Sequence, residues 1–199
     1  FIGTASTMQI MAESLGLALP GTALLPASGL ELEEAAVRAG KQAVALARSG
    51  LCPGDIATRE SFQNAILVHA AVSGSTNCLL HLPAIAHEYG ITITGDDFDR
   101  LHRGAKYLLD IRPAGRWPAE FFGCAGGVPA VMEEIRDRLH LEARTVTGRT
   151  LGENLDELKQ NGYYQRCQER LEAVNRRCGL HLSREDIIRP AARPLGSSG

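Results

Sequence analysis

Phe62-Gln63-Asn64-Ala65-Ile66-Leu67-Val68-His69-Ala70-Ala71-Val72, followed at once by Ser73-Gly74-Ser75-Thr76-Asn77, is the stretch whose reading decides the fold. The first part is apolar nearly all round, which predicts a helix buried inside a domain rather than one lying on its surface. The second part is a small, polar break. A further apolar helix then starts near Cys78, carries Pro83, which should kink it or mark a restart, and ends at Gly90.

Outward from this centre, helical signals dominate. Toward the amino end, Glu31 to Ser49 predicts a long helix, with acids in its first turn, Lys41 and Arg48 later, and Gly50 as its stop. Its residues Leu32, Ala36, Ala39, Ala43 and Ala47 fall on one stripe. A first helix is expected from Ala5 to Leu15, with Thr4 and Ser6 able to cap it and Gly16 placed to end it. Toward the carboxy end, Thr94 with Asp97, Thr150 with Glu153, and Ser183 with Asp186 are capping pairs. Pro129 opens a helix with a core face of Val128, Val131, Met132, Ile135 and Leu139, and Tyr163 to Cys178 forms the last long helix. Ile91-Thr92-Ile93, Tyr107 to Ile111 and Thr145 to Gly148 are expected as short strands. The fold class is therefore α/β, predominantly helical with a few short strands.

Composition bounds the function. Hydrophobic residues are 44% and charged residues 22% of the 199, an ordinary globular balance, and a net charge of −2 gives no electrostatic case for nucleic acid. No apolar run has the length of a membrane span. The chain opens at Phe1 with no basic-then-apolar leader and closes on Leu195-Gly196-Ser197-Ser198-Gly199, read as a flexible tail. Five cysteines without a CxxC pair suit reduced thiols and a cytoplasmic setting. The histidines show no metal-binding spacing, His69 and His81 suit core roles, and no nucleophile elbow or phosphate loop is present. Two clusters stand out instead: Thr4, Ser6 and Thr7 near the amino end, and Ser75, Thr76 and Asn77 after the buried helix. Each sits at a helix start, where free N–H groups and the dipole favour an anion such as a carboxylate, though spacing alone favours plain capping. Thr145 to Thr150 has the same character.

In order along the chain, several stretches resemble the dihydroxy-acid and sugar-acid dehydratase family. They are Gly3-Thr4-Ala5-Ser6-Thr7-Met8, Leu15 to Gly21, Phe62 to Ile66, Gly74 to Asn77 with Leu80-His81-Leu82, Asp96 to Arg100, Ala125 to Met132, and Thr145 to Leu155. The resemblance implies residues 1–158 as part of the family's amino-terminal α/β domain, 159–190 as a helical extension of it, and 191–199 as the tail. It implies a hydro-lyase that dehydrates 2,3-dihydroxy acids, including sugar acids, to 2-keto acids. An iron–sulfur cluster and magnesium act as Lewis acid in such enzymes, which are homo-oligomers. The cluster cysteines, the magnesium carboxylates and the basic serine are expected outside this chain, so it should hold neither cofactor and be inactive alone. By resemblance, Thr4, Ser6 and Thr7 line the cluster pocket, and Ser75, Thr76 and Asn77 sit near the site or a subunit contact. Phe1-Ile2-Gly3, Leu80 to His87 and the polar helical stretch 159–189 lean toward the aldonate, xylonate-type branch. The competing expectation is a non-catalytic helical association module, covering a partner with the helices at Phe62–Val72 and Cys78–Ile85.

Overall fold

A computed structural model describes residues 1–27 and 29–197. Among them are ten α-helices, two short 3-10 turns and one two-stranded antiparallel sheet. The central element is α4 (Arg59–Val72), which is buried from Phe62 onward except at Gln63. Around it pack α1 (Thr4–Ser14), α6 (Gly95–His102) and α8 (Gly127–Glu134). Burying so much apolar surface on one helix is the main driving force available to the domain. It also leaves no face of Phe62–Val72 free to cover a partner, which removes half of the surface assigned to the association-module reading. On α5 (Cys78–Glu88), Leu79 and Leu80 are exposed, and the helix runs through Pro83 without a break.

Two buried polar side chains of this core, Asn64 and Glu13, are paired. Asn64 donates through Nδ2 to the His140 carbonyl at 3.0 Å and accepts from the His140 N–H at 2.8 Å, fastening α4 to the segment after α8. Glu13, at the end of α1, accepts the N–H groups of Gly21, Thr22 and Ala23 at 2.7, 3.1 and 2.8 Å. Burial pushes its carboxyl up to about 7, and the three N–H bonds oppose that rise. This one side chain therefore holds the turn that follows α1.

The capping pairs expected at Thr94, Thr150 and Ser183 all form, at the starts of α6, α9 (Leu151–Gln160) and the second 3-10 turn. α10 (Tyr163–Cys178) rests on α7 (Glu120–Cys124) and α9, and buries Cys167 and Leu171 while leaving Cys178 exposed.

Several local expectations are corrected. Ile91-Thr92-Ile93 is not a strand, because no described segment pairs with it; the Ile91 N–H closes back onto the Ala86 carbonyl and Ile93 is buried. Strand β1 covers only Lys106–Tyr107, with Leu109 and Ile111 reduced to single bridges to Ile188 and Trp117. Thr145 to Gly148 is likewise a turn flanked by one bridge, Arg144 to Thr150. The tail turns back, so that β2 (Gly196–Ser197) pairs with β1, while Ser198 and Gly199 lie outside the described residues. The long helix α2 (Leu30–Ser49) forms as expected but buries only Ala35. Its stripe of Leu32, Ala36, Ala39 and Ala43 borders an open groove of about 420 Å³ whose other wall is Leu17, Leu19 and Val146.

Replacing Glu13 by Ala leaves three N–H donors, that of Ala23 buried and those of Gly21 and Thr22 half-buried, without an acceptor. At the low end of about 1 kcal/mol for each, the expected loss is about 3 kcal/mol, read as a lower midpoint in urea unfolding. A loss below roughly 1 kcal/mol would show that the turn after α1 is held by something else.

Candidate functional site

The two small-residue clusters, some seventy positions apart in sequence, meet in space. Thr7 is fully buried, and its hydroxyl donates to the Gly3 carbonyl at 2.8 Å and accepts the Ser75 N–H at 3.1 Å. Thr4 Oγ1 lies 3.2 Å from Ser75 Oγ and accepts from Asn77 Nδ2 at 2.6 Å. Thr4, Thr7, Ser75 and Asn77 thus form one hydrogen-bonded knot between the starts of α1 and α5. Ser6 is not part of it; its hydroxyl turns to the Phe1 carbonyl at 3.4 Å. Thr76 stands exposed beside the knot, on the rim of a cavity of about 520 Å³ also lined by Phe98 and Asp99.

The expected capping of α1 by Thr4 and Ser6 does not occur. Gly3 is the cap residue and offers no side chain, and Thr4 is already helical. Among the described residues, the N–H groups of Thr4, Ala5 and Ser6 have no acceptor. These donors sit at the positive end of the helix dipole and beside three hydroxyl-bearing side chains, a setting that favours a negative oxygen. At α5 the corresponding N–H groups of Cys78, Leu79 and Leu80 are taken by the carbonyls of Ser75, Thr76 and Asn77. Of these two helix starts, among the described residues only that of α1 keeps N–H donors without an acceptor.

Two features brace the knot from behind. A Cβ at Gly74 would come within 2.6 Å of the His69 ring and 2.8 Å of the Thr7 methyl, so only glycine permits this approach. Next to it, His69 Nε2 lies 3.0 Å from the Ser75 carbonyl, which can only accept, so Nε2 carries the proton. His69 Nδ1 then faces His102 Nε2 at 3.4 Å, with the two rings nearly parallel. Burial lowers the pKa of His69; burial and then the charge of His69 lower that of His102. Sequence reading placed His69 in the core but had no means of finding His102 beside it, since thirty-odd intervening residues carry no spacing signal.

The third cluster proves structural. Asn154 donates to the Thr145 hydroxyl at 2.7 Å and accepts from Thr147 at 2.8 Å, and the Val146 N–H and carbonyl tie the turn to Gly16 and Gln42. The cysteines do not assemble either. Cys52 and Cys178 are exposed, burial pushes the Cys78 thiol up to about 11, and Cys124 is also raised by burial. Among the described residues no three His, Cys, Asp or Glu side chains converge to hold a metal ion. These residues do not fit an iron–sulfur cluster or a magnesium site. No described helix is long and apolar enough to cross a membrane.

Comparison with known proteins gives the family. The family model described as dihydroxy-acid/6-phosphogluconate dehydratase N-terminal matches residues 1–154. Dihydroxy-acid dehydratase 1 of Methanosarcina acetivorans is 47% identical over 156 residues, covering 78% of this chain and 28% of that protein. The dihydroxy-acid dehydratase of Mycobacterium ulcerans is 45% identical over 155 residues, 77% of this chain and 28% of its own length. That of Sulfurisphaera tokodaii is 38% identical over 198 residues, 98% of this chain and 32% of the relative. The chain thus spans about 28% of the length of the first of these relatives.

The neutral His69 sets a pH dependence. Its folded pKa lies below the ordinary 6.5, so below pH 6.5 the unfolded chain binds protons that the folded chain does not, and stability falls as the pH drops. Glu13, raised from 4.5 to about 7, works in the opposite sense over that range, so the comparison must isolate His69. In His69→Gln the side-chain amide still donates toward Ser75 but cannot titrate. Thermal melts of the two proteins should diverge below about pH 6.5, with the wild type losing more. Parallel curves would show that His69 is not neutral in the fold.

Proposed function

Because the chain belongs to the dihydroxy-acid/6-phosphogluconate dehydratase family, we propose that it forms part of a hydro-lyase that converts 2,3-dihydroxy acids to 2-keto acids. The observation that carries this reading is the knot. It sets three free N–H donors of α1 next to the Thr4, Ser75 and Asn77 side chains at one edge of the domain. Such an edge suits an oxygen-rich, negatively charged partner, and a dihydroxy acid is one. What this chain supplies is positioning: donors held in place by a buried threonine and a glycine that lets His69 close behind them.

The Lewis acid is a separate matter. Iron–sulfur and magnesium chemistry would polarise the leaving hydroxyl. We propose that both cofactors are held by residues outside this chain, since the thiols and carboxylates described above do not converge. The chain alone is then inactive, and the complete enzyme is an oligomer in the cytoplasm. As to substrate, the aldonate or xylonate-type reading rests on Phe1-Ile2-Gly3 and Leu80 to His87. The polar helical stretch 159–189 does not discriminate, because a relative named a dihydroxy-acid dehydratase aligns across it.

Two measurements test the reading. The purified 199-residue chain, given xylonate or dihydroxyisovalerate, should release no 2-keto acid; measurable turnover would overturn the placing of the Lewis acid elsewhere. In a complete enzyme carrying this segment, Thr76→Ala or Asn77→Ala should lower turnover by about tenfold or more, as expected when an oriented polar contact is lost. Unchanged turnover in both variants would remove these residues from the site.

A further inference from the structure

We propose that His69 and His102 form a binding site for a divalent metal ion of the zinc class, seated between the ends of α4 and α6. The two rings come from different helices and meet with His69 Nδ1 3.4 Å from His102 Nε2, nearly parallel at 14°. Their other nitrogens are engaged with the backbone. His69 Nε2 donates to the Ser75 carbonyl at 3.0 Å. His102 is hydrogen-bonded to the Ile66 backbone, a bond that falls to its Nδ1 because Nε2 faces His69. Carbonyls only accept, so the ring protons go to Ser75 and Ile66, and the facing nitrogens keep their lone pairs. Two lone pairs turned toward each other call for a cation between them. The separation suits one: two imidazole nitrogens, each about 2.0–2.1 Å from a tetrahedral ion, stand about 3.3–3.4 Å apart. Imidazole is a ligand for zinc, copper and nickel rather than for magnesium.

The surroundings favour positive charge. His69 lies in the last turn of α4 and His102 ends α6, so the negative ends of two helix dipoles converge on the pair. Asp99 lines the same cavity of about 520 Å³, and its charge acts on His102, although its carboxylate also holds Arg103 at 2.8 Å. Both histidine rings line that cavity, which has room for the waters that complete a tetrahedron, so two protein ligands suffice. A shared proton would have to charge one ring, which burial opposes at both. A metal ion takes both rings in their neutral form. Bound there, it ties α4 to α6 directly behind the turn at Ser75. The inference stands on distance, tautomer and charge, and is independent of the catalytic reading.

Zinc, and cobalt for its visible spectrum, are titrated into the metal-free 199-residue chain carrying Cys52→Ser and Cys178→Ser, so that exposed thiols take no metal. One ion should bind per chain. Of the six histidines, His69 and His102 should be the two whose ring signals move in nitrogen-15 NMR. Zinc should also raise the thermal midpoint, since an ion that binds only the folded state stabilises it. His69→Gln and His102→Gln should each weaken binding by about tenfold or more and remove the midpoint shift. Circular dichroism checks the fold of both variants, and the NMR titration decides the question without them should either fail to fold. No binding at millimolar zinc would overturn the proposal. So would binding that survives both substitutions or moves other histidines instead, which would mark an adventitious ion only.

Discussion

The structure depends on burying α4. A helix that is apolar on nearly every side has no stable place except the middle of a domain, and α1, α6 and α8 are arranged to give it one. That burial dictates the chemistry of the few polar groups it takes along. Asn64 must find both a donor and an acceptor and does so on the His140 backbone; His69 must find an acceptor for its N–H and does so at Ser75. The second pairing is what links the core to the candidate site. Where α4 ends, at Ser73 in the left-handed region, the chain has to turn within a few residues, and Gly74 and Ser75 are pressed against α1 as it does so.

From that constraint the site follows with little further specification. Thr7 is buried because α1 packs on α4, and its hydroxyl then bridges Gly3 to Ser75. With the turn fixed, Ser75 and Asn77 come within reach of Thr4, and the free end of α1 is left facing outward beside them. The stretches that carry the resemblance are the ones that form the knot or that hold the elements around it, Asn64 and Asn154 among them. Catalytic power is a different property. A set of aligned donors orients and attracts an anion, whereas dehydration needs an electrophile for the departing hydroxyl, and the residues described here do not converge on one.

How much of this was legible in the sequence depends on the range of the interaction. Helix α4, the capping pairs at Thr94, Thr150 and Ser183, and the stop at Gly50 were all readable, because each rests on contacts within a few residues. The burial of α2 was not. A stripe of Leu32, Ala36, Ala39 and Ala43 has the same period whether it meets a core or lines an open groove. Strands failed for a related reason: Ile91 to Ile93 has strand composition, but a strand exists only when another segment offers hydrogen bonds, and none of the described segments does. The site was half legible. Thr4, Thr7, Ser75 and Asn77 belong to two clusters that the sequence singles out, with Thr76 beside them, but the union of the four is a tertiary contact that spacing does not carry. Ser6, chosen with them, faces Phe1 instead. His102 left no local signal at all.

The central claim is that two clusters distant in sequence act as one unit, and a double-mutant cycle on this chain tests it most directly. Thr4→Val, Asn77→Ala and the pair together would be unfolded in urea and compared with the wild type. If the 2.6 Å bond between Asn77 Nδ2 and Thr4 Oγ1 joins the two helix starts, the double variant should be less destabilised than the sum of the singles by about 0.5–1.5 kcal/mol. Additivity within about 0.3 kcal/mol would mean that the clusters are neighbours without coupling, and the knot would lose its standing as a single site.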